Sequence, residues 1–419
     1  MGVYGCSANL ADSEMASGLL VEAGHTVTRN PEGADASLIL TCTVKTPTEN
    51  KILKEIRRLY QSDKPLVVAG CMPKAQRDQV FDAAPGASLL GPDDLLRVVE
   101  AVESSLSGIR VEEVDGEPFD RTCLPRARDS KFVHIAPISS GCLGNCSYCI
   151  VKKARGHLYS FPKDGLVKDA IGAINEGCRE IWVTAEDTAA YTWDSIRLPG
   201  LIHSLSELVG DFFIRVGMMT PNQAGEIIDD LIEAYRSPKV FKFLHMPVQS
   251  GNDYVLGKMR RKYHVDDFTV LISEFREKIP GVTLSTDVIC GFPGESEEQF
   301  MDTVRFIDEL QPDVLNISRF WSRPGTDASM MPEQLHGRET KERSRIMSRV
   351  FKEISLKQNQ KWIGWIGKVL INEYGKESSV MGRNLSYKPV VVKKDLDLGV
   401  IVKVKIVDAK TSYVVGELY

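Results

Sequence analysis

Three cysteines in the segment GCLGNCSYC have the spacing C-x3-C-x2-C. They are Cys142, Cys146 and Cys149, and they come directly after a predicted strand. Thiolates are the usual ligands of iron–sulfur clusters. Three thiolates on one short loop can bind three irons of a four-iron, four-sulfur cluster, which leaves the fourth iron open for chemistry. Gly144 and the glycine before Cys142 let the loop pass closely around such a cluster. A zinc site completed by a distant residue such as His157 is the alternative.

Cys6, Cys42 and Cys71 are far apart in the sequence, but each follows a predicted strand, in VYGC, LILTC and VVAGC. The carboxyl ends of parallel strands lie at one edge of a sheet, where ligands bind. Three cysteines at three such ends can therefore converge, which predicts a second iron–sulfur cluster. The alternative is that each is a small buried apolar residue. The other three cysteines show no such pattern, and Cys178 and Cys290 are expected to be structural.

The elements that position these cysteines predict an α/β protein with three domains. Residues 1–105 alternate strands and helices, as in an open parallel α/β sheet, and residues 106–130 are expected to form a linker. Residues 131–358 contain six predicted strands with helices between them, which indicates a partial parallel barrel short of the usual eight strands. Residues 359–419 predict a small all-β barrel. The first strand is short and begins at the chain start, which leaves open whether residues precede it. The predicted strands are Val3–Tyr4, Ala36–Leu40, Leu66–Ala69, Val133–Ile138, Ile181–Thr184, Phe213–Val216, Val240–Leu244, Thr283–Ile289, Val314–Ile317, Val369–Ile371, Pro389–Val392, Val400–Ile406 and Tyr413–Val415.

Charge is unevenly distributed along the 419 residues. The net charge is -5, but residues 361–419 contain ten Lys and Arg against six Asp and Glu, so this segment carries +4 and the rest carries -9. A basic module on an acidic body is compatible with nucleic-acid binding. No apolar run is long enough to span a bilayer, and the start resembles no signal peptide, so we expect no membrane partner. Unpaired cysteines in this number favour the reducing cytoplasm.

The two cysteine triplets in this order, followed by a basic β-domain, resemble the methylthiotransferases of the radical S-adenosylmethionine superfamily. The resemblance covers essentially the whole chain. It implies two 4Fe-4S clusters and S-adenosylmethionine as cofactors, a six-stranded partial barrel, and a final domain of the TRAM type that binds RNA. The matching stretches are YGCSANLADSE, TCTVKTPTENK, VAGCMPK, GCLGNCSYCIVKKARG, HMPVQSGNDYVLGKMRRKY, DVICGFPGESEEQF and SRPGTDA.

The resemblance also implies a reaction and its partners. One S-adenosylmethionine gives a methyl group to a sulfur on the second cluster, and another is split reductively at the first. The resulting radical removes hydrogen from C2 of an adenosine, and the methylated sulfur joins that carbon. The loop CLGNCSYCIVKKARG looks most like the archaeal and eukaryotic branch that modifies threonylcarbamoyladenosine at position 37, in the anticodon stem-loop of tRNA. Isopentenyl-adenosine in tRNA and a ribosomal-protein aspartate are the alternative substrates, and a non-enzymatic RNA-binding protein is the alternative class. The electron donor is expected to be flavodoxin- or ferredoxin-like, and the sulfur donor stays open.

Side chains beyond the cysteines are assigned mostly from their strand-end positions and from this resemblance. Each has a structural alternative: a helix cap for the acidic pair after the second barrel strand, a buried ion pair for the arginine, a core histidine, and a simple turn for the glycine. No catalytic side chain beyond the cluster ligands is assigned. The expected cofactor-binding residues are Tyr148, Glu186, Arg215, His245, Gln249 and Gly291, and the expected substrate-binding residues are Lys153, Arg155 and Asp187.

Overall fold

The N-terminal part of the chain forms a five-stranded parallel sheet. The computed structural model describes residues 1–44, 46–376 and 378–419. The strand order is β1-β2-β3-β4-β5, with all neighbours parallel. The strands are β1 Gly2–Val3, β2 Ser37–Thr41, β3 Leu66–Gly70, β4 Ser88–Leu90 and β5 Glu112–Glu113. The helices are α1 Ser7–Glu22, α2 Thr46–Tyr60, α3 Cys71–Ala75, α4 Arg77–Ala83 and α5 Val98–Leu106. The sheet therefore reaches into the segment expected to be a linker, while the domain boundaries themselves stay a prediction.

The sequences SLILT and LVVAG form β2 and β3 because both faces of this sheet are covered by helices. Leu38 and Leu40 pack on one face with α1 and α5, whereas Ile39 packs on the other with α2 and α4. Helix α1 differs from an ordinary amphipathic helix, because it buries polar residues as well as apolar ones. It packs against the sheet on one side and against the first strand of the next domain on the other. Its buried polar side chains are therefore available to join the two domains.

The central part is a partial barrel of six parallel strands, as predicted. Strands β6, β9 and β12 form one half and β13, β14 and β15 the other, and a parallel bridge between Ile214 and Val240 connects the halves. The fourth barrel strand starts three residues later than expected, because Val240 pairs only through that isolated bridge. The strands are β6 Val133–Pro137, β7 Ser139–Ser140, β8 Tyr159–Ser160, β9 Glu180–Thr184, β10 Thr192–Trp193, β11 Ile196–Arg197, β12 Phe213–Val216, β13 Phe243–His245, β14 Thr283–Cys290 and β15 Val314–Arg319. The helices are α6 Val151–Arg155, α7 Lys163–Asn175, α8 Leu198–Ser206, α9 Pro221–Gly225, α10 Ile228–Arg236, α11 Asp253–Lys258, α12 Val265–Lys278, α13 Glu297–Leu310, α14 Asp327–Met330 and α15 Gly337–Gln360.

The C-terminal part is a closed five-stranded barrel with the order β16-β17-β18-β20-β19. Alternate side chains such as Val369, Ile371, Val404 and Ile406 fill its interior. The strand VMGR was not predicted, since it contains a glycine and only one β-branched residue. The strands are β16 Ile366–Tyr374, β17 Val380–Arg383, β18 Pro389–Val392, β19 Ile401–Ala409 and β20 Val414–Leu418. No helix in the described residues is long and apolar enough to cross a membrane.

The turn between β17 and β18 fastens this small barrel to the amino-terminal ends of the large barrel's strands. The Tyr387 ring packs against Phe241 and Phe243, with centroids 4.8 Å and 5.0 Å away. The amide of Lys242 donates to the Leu385 carbonyl at 2.7 Å. The small barrel thus closes the end of the large barrel opposite to the carboxyl ends of its strands.

Candidate active site

A single cavity of about 630 Å³ is lined by all six cysteines of the two predicted triplets. It lies between the carboxyl edge of the N-terminal sheet and the carboxyl ends of the large barrel's strands, because its walls come from both. Each N-terminal cysteine stands where the strand pattern placed it. Cys6 precedes α1, Cys42 follows β2 directly, and Cys71 is the first residue of α3 after β3.

Asn9 in the first turns of α1 holds the three N-terminal strand ends together. Its Nδ2 donates to the carbonyls of Tyr4 and Thr41, at 2.8 Å and 2.7 Å. Its Oδ1 lies 3.8 Å from the Sγ of Cys71. One side chain therefore contacts the strand ends that carry Cys6 and Cys42, and also the third cysteine itself.

The second triplet lies on a loop whose backbone is arranged around the sulfur atoms. The amide of Gly144 donates to the Sγ of Cys142 at 3.2 Å, and the guanidinium of Arg261 donates to the Sγ of Cys146 at 3.3 Å. A Cβ at position 144 would lie 3.2 Å from the Cys142 sulfur and 3.8 Å from the Cys146 sulfur. The glycine therefore leaves space beside two sulfurs, as a bound cluster requires.

The donor set fits an iron–sulfur cluster better than a zinc ion. Burial raises the pKa of the Cys71 thiol to about 12, and it does the same for Cys149. Thiolates at these positions need a cationic partner, and iron is the usual one for a set of sulfur ligands alone. Among the described residues no three His, Cys, Asp or Glu side chains are grouped tightly enough for one ion. His157 is exposed and is not part of the cavity wall.

Six further residues assigned from the sequence also line the cavity, and Arg155 makes a seventh. They are Tyr148, Glu186, Asp187, Arg215, His245 and Gln249. The Asp187 carboxylate accepts hydrogen bonds from the amide and hydroxyl of Thr220, while burial raises its pKa. The Nε2 of His245 lies 3.0 Å from the Oδ2 of Asp287. These contacts hold polar side chains at the carboxyl strand ends, although their role in binding stays a prediction.

Arg215 has aromatic neighbours where an ion pair was the expected alternative. Its guanidinium lies over the rings of Trp182, Phe243 and Tyr387, at 5.4 Å, 5.0 Å and 5.4 Å from their centroids. Its buried Nε has no hydrogen-bond partner in the described part of the chain. The arginine therefore keeps hydrogen-bonding capacity on the wall of the cavity while three rings stabilise its charge.

Two assigned residues are not part of the cavity wall. Lys153 is exposed beside the loop of the second triplet. The amide of Gly291 donates to the Oε2 of Glu295 at 2.8 Å, and a Cβ at this position would lie 2.5 Å from the Cγ2 of Thr340. With a φ of +80°, Gly291 forms a tight turn beneath α15, as its structural alternative proposed.

Several wall residues were missed from the sequence, namely Arg261, Asp287 and Arg323. Arg323 donates to the carbonyl of Thr43 at 3.0 Å and pairs with Glu49, so it fastens the large barrel to the N-terminal domain beside Cys42. Both arginines lie in stretches that carried the family resemblance, KMRRKY and SRPGTDA. That resemblance was the available signal, since no spacing rule connects them to the cysteines.

Comparison with known families covers each part of this architecture. Residues 136–307 match the radical SAM superfamily, residues 1–91 match the uncharacterized protein family UPF0004, and residues 363–419 match the TRAM domain. Among solved structures, the radical S-adenosylmethionine methyltransferase TsrM from Kitasatospora setae superposes with a TM-score of 0.57 at 16% identity, covering 78% of this chain and 74% of its own. The cobalamin-dependent enzyme OxsB superposes with a TM-score of 0.54 at 11% identity, covering 81% and 56%. Both likenesses concern the fold alone.

The barrel and the open C-x3-C-x2-C loop at its strand ends define a radical S-adenosylmethionine enzyme, a class that uses this molecule and a 4Fe-4S cluster. A probable threonylcarbamoyladenosine tRNA methylthiotransferase of Pyrococcus horikoshii is 39% identical over 99% of this chain and 98% of its own. The threonylcarbamoyladenosine tRNA methylthiotransferase of Xenopus laevis is 37% identical over 99% and 76%. The chain belongs to the family of threonylcarbamoyladenosine tRNA methylthiotransferases.

Proposed function

We propose that the protein adds a methylthio group to C2 of N6-threonylcarbamoyladenosine at position 37 of tRNA, with two 4Fe-4S clusters. The observation that carries the proposal is the cavity in which both cysteine triplets face each other. A reaction that builds a carbon–sulfur bond on one carbon needs its two centres in one space. The names of the relatives favour threonylcarbamoyladenosine over isopentenyl-adenosine or a ribosomal aspartate.

The chain's own residues hold and separate the two centres. Cys142, Cys146 and Cys149 would bind the radical-generating cluster, while the N-terminal triplet would bind the second. When bound, these clusters and S-adenosylmethionine supply the electron, the carbon-centred radical and the methylated sulfur. Arg261 donates to the Cys146 sulfur and so stabilises its thiolate. The apolar character of much of the wall excludes water from a site where a radical would otherwise be quenched.

The S-adenosylmethionine and the adenosine would share the wall formed by the ends of β9, β12, β13 and β14. Tyr148 packs edge-on against Phe292, which fixes a ring beside the second triplet where an adenine can stack. Glu186 has an unpartnered buried Oε2 among the described residues, and Arg215 has its unpartnered Nε. A carboxylate and a guanidinium with free positions suit the amino and carboxylate groups of a methionine or threonine moiety.

The C-terminal barrel supplies the contact with RNA in this proposal. Lys368 on β16 stands opposite Lys403 on β19, and both are exposed together with Lys405. Three exposed lysines on adjacent strands make a basic face for the phosphates of the anticodon stem-loop. A flavodoxin- or ferredoxin-like protein would deliver the electrons. We place the reaction in the cytoplasm, because buried thiolate ligands need a reducing compartment.

Two measurements test the proposal. Anaerobic reconstitution should yield about eight irons per chain, and about four when Cys6, Cys42 and Cys71 are replaced by alanine. The full chain should convert threonylcarbamoyladenosine in tRNA to its 2-methylthio derivative, detected by mass spectrometry of the nucleosides. An iron content of about four in the unchanged protein would refute the second cluster. A product confined to isopentenyl-adenosine would refute the substrate.

A further inference from the structure

Arg155 is covalently part of the large barrel but contacts mainly the N-terminal domain. It is the last residue of α6, in the loop KKARG that follows the second triplet. Its Nη2 donates to the Oδ1 of Asn9 and to the Oδ2 of Asp12, both at 2.7 Å, and its Nε lies 3.4 Å from the Oε1 of Glu186. Only 3% of the residue is exposed. A guanidinium buried in this way cannot bind the phosphates of an RNA from solvent, as its sequence position had suggested.

The partner of Arg155 is the same asparagine that joins the three N-terminal strand ends. The Oδ1 of Asn9 is shared between Arg155 and the Sγ of Cys71, while its Nδ2 bonds to the carbonyls of Tyr4 and Thr41. Arg155 therefore brings a positive charge to the point where Cys6, Cys42 and Cys71 converge. It also lines the cavity itself.

The charge of Arg155 is secure and is only partly neutralised. Burial lowers its pKa, but Asp12, Cys71 and Glu186 together hold that pKa well above its usual range. Asp12 divides its charge between two arginines, since its Oδ1 also accepts from Arg121 at 2.6 Å. Burial in turn raises the pKa of Glu186, which weakens its share of the neutralisation. A net positive potential therefore remains on the side of Arg155 that faces the cysteines.

We infer that Arg155 is a positioning residue for the second cluster, which it stabilises across the domain boundary in the reduced state. The inference rests on the proposed function, because it assumes a cluster at Cys6, Cys42 and Cys71. Reduction adds one negative charge to a buried cluster, and a fixed cation nearby favours that state. The same contact aligns the N-terminal sheet with the large barrel, so the two centres keep their orientation. Arg155 thus acts on the sulfur-carrying centre and not on the tRNA.

The test uses the full chain with Cys142, Cys146 and Cys149 replaced by alanine, so that only the second cluster contributes to the signal. The ratio of reduced to oxidised cluster is followed by paramagnetic resonance in an electrochemical titration. In this background R155M should lower the ratio at a given potential about tenfold, which is a shift of about 59 mV for one electron. D12N should change the ratio in the opposite direction, because it removes a negative charge next to the arginine. R155K keeps the charge and should stay within about threefold.

Arg126 offers a matched control, because it is a buried arginine that joins the same two domains away from the cavity. It contacts Glu14 of α1 and Asp169 of α7, at 3.8 Å and 3.6 Å. R126M should leave the ratio unchanged. Should R155M fail to retain a cluster, the opposite shift in D12N decides the question. An unshifted ratio in D12N and R155M with about four irons bound would overturn the role of Arg155 alone. Absence of iron from the background variant would overturn the second cluster, and with it this inference.

Discussion

Replacement of Tyr387 by alanine should release the small barrel from the large one. The ring contacts Phe241 and Phe243, and each aromatic pair contributes about 0.5–1.5 kcal/mol. Its face also carries the guanidinium of Arg215, at 5.4 Å, which adds about 0.5–2 kcal/mol. The total is about 3 kcal/mol at the middle of these ranges. The contact should therefore open about a hundredfold more often in Y387A.

The amide of Lys242 reports directly on this opening, because it donates to Leu385 across the boundary between the barrels. Its hydrogen exchange, measured by mass spectrometry of the peptide or by NMR, should become about a hundredfold faster in Y387A. Tyr374 provides the control, since it belongs to the same small barrel but is 67% exposed. Y374A should leave the exchange of Lys242 within a factor of two or so. Equal exchange in Y387A and the unchanged protein would refute the idea that this ring fastens the barrels together.

Three further predictions concern the cluster loop, the buried interface and the RNA face. G144A should cost about four of the eight irons, because its Cβ would crowd the sulfur of Cys142, and an unaltered iron assay would speak against the assigned loop. Burial raises the pKa of Glu14 to about 7 from 4.5, so its ionised form is disfavoured in the folded state and the stability that it costs should grow as pH rises from about 4.5 to 7. E14Q should remove this dependence, with the midpoint of thermal unfolding higher at pH 8 than in the unchanged protein; identical pH profiles would contradict the prediction. K403Q combined with K405Q should weaken tRNA binding and reduce the salt slope by about 0.9 for each phosphate that is no longer neutralised, measured by filter binding, whereas an unchanged slope would move the RNA-binding face elsewhere.

Local patterns predicted the parts of the protein whose chemistry is contained in one segment. The loop with Cys142, Cys146 and Cys149 needs neighbours within a few residues, so its spacing alone indicated a cluster. The alternation of strands and helices indicated both parallel sheets, because such runs are buried on two faces. Even the convergence of Cys6, Cys42 and Cys71 followed from topology, since parallel strands end at one edge.

The same patterns failed for side chains whose partners are distant in the sequence. Arg155 pairs with residues 143 and 146 positions away, and Arg323 with Thr43 from 280 positions away. Nothing in the local sequence distinguishes such an arginine from one that faces solvent. Gly291 was a similar case, because the turn that it makes is explained by Thr340 on a later helix.

From the sequence by itself came the cysteine ligands, the three-part architecture and the family, because each depends on residue type and periodicity. The tertiary structure alone decided which charges hold domains together and which remain free in the cavity. Asp12 and Glu186 cover Arg155, whereas Arg215 is surrounded by aromatic rings and keeps an unpartnered Nε among the described residues. The physical reason is that burial and pairing depend on which surfaces meet, and a linear pattern does not contain that information.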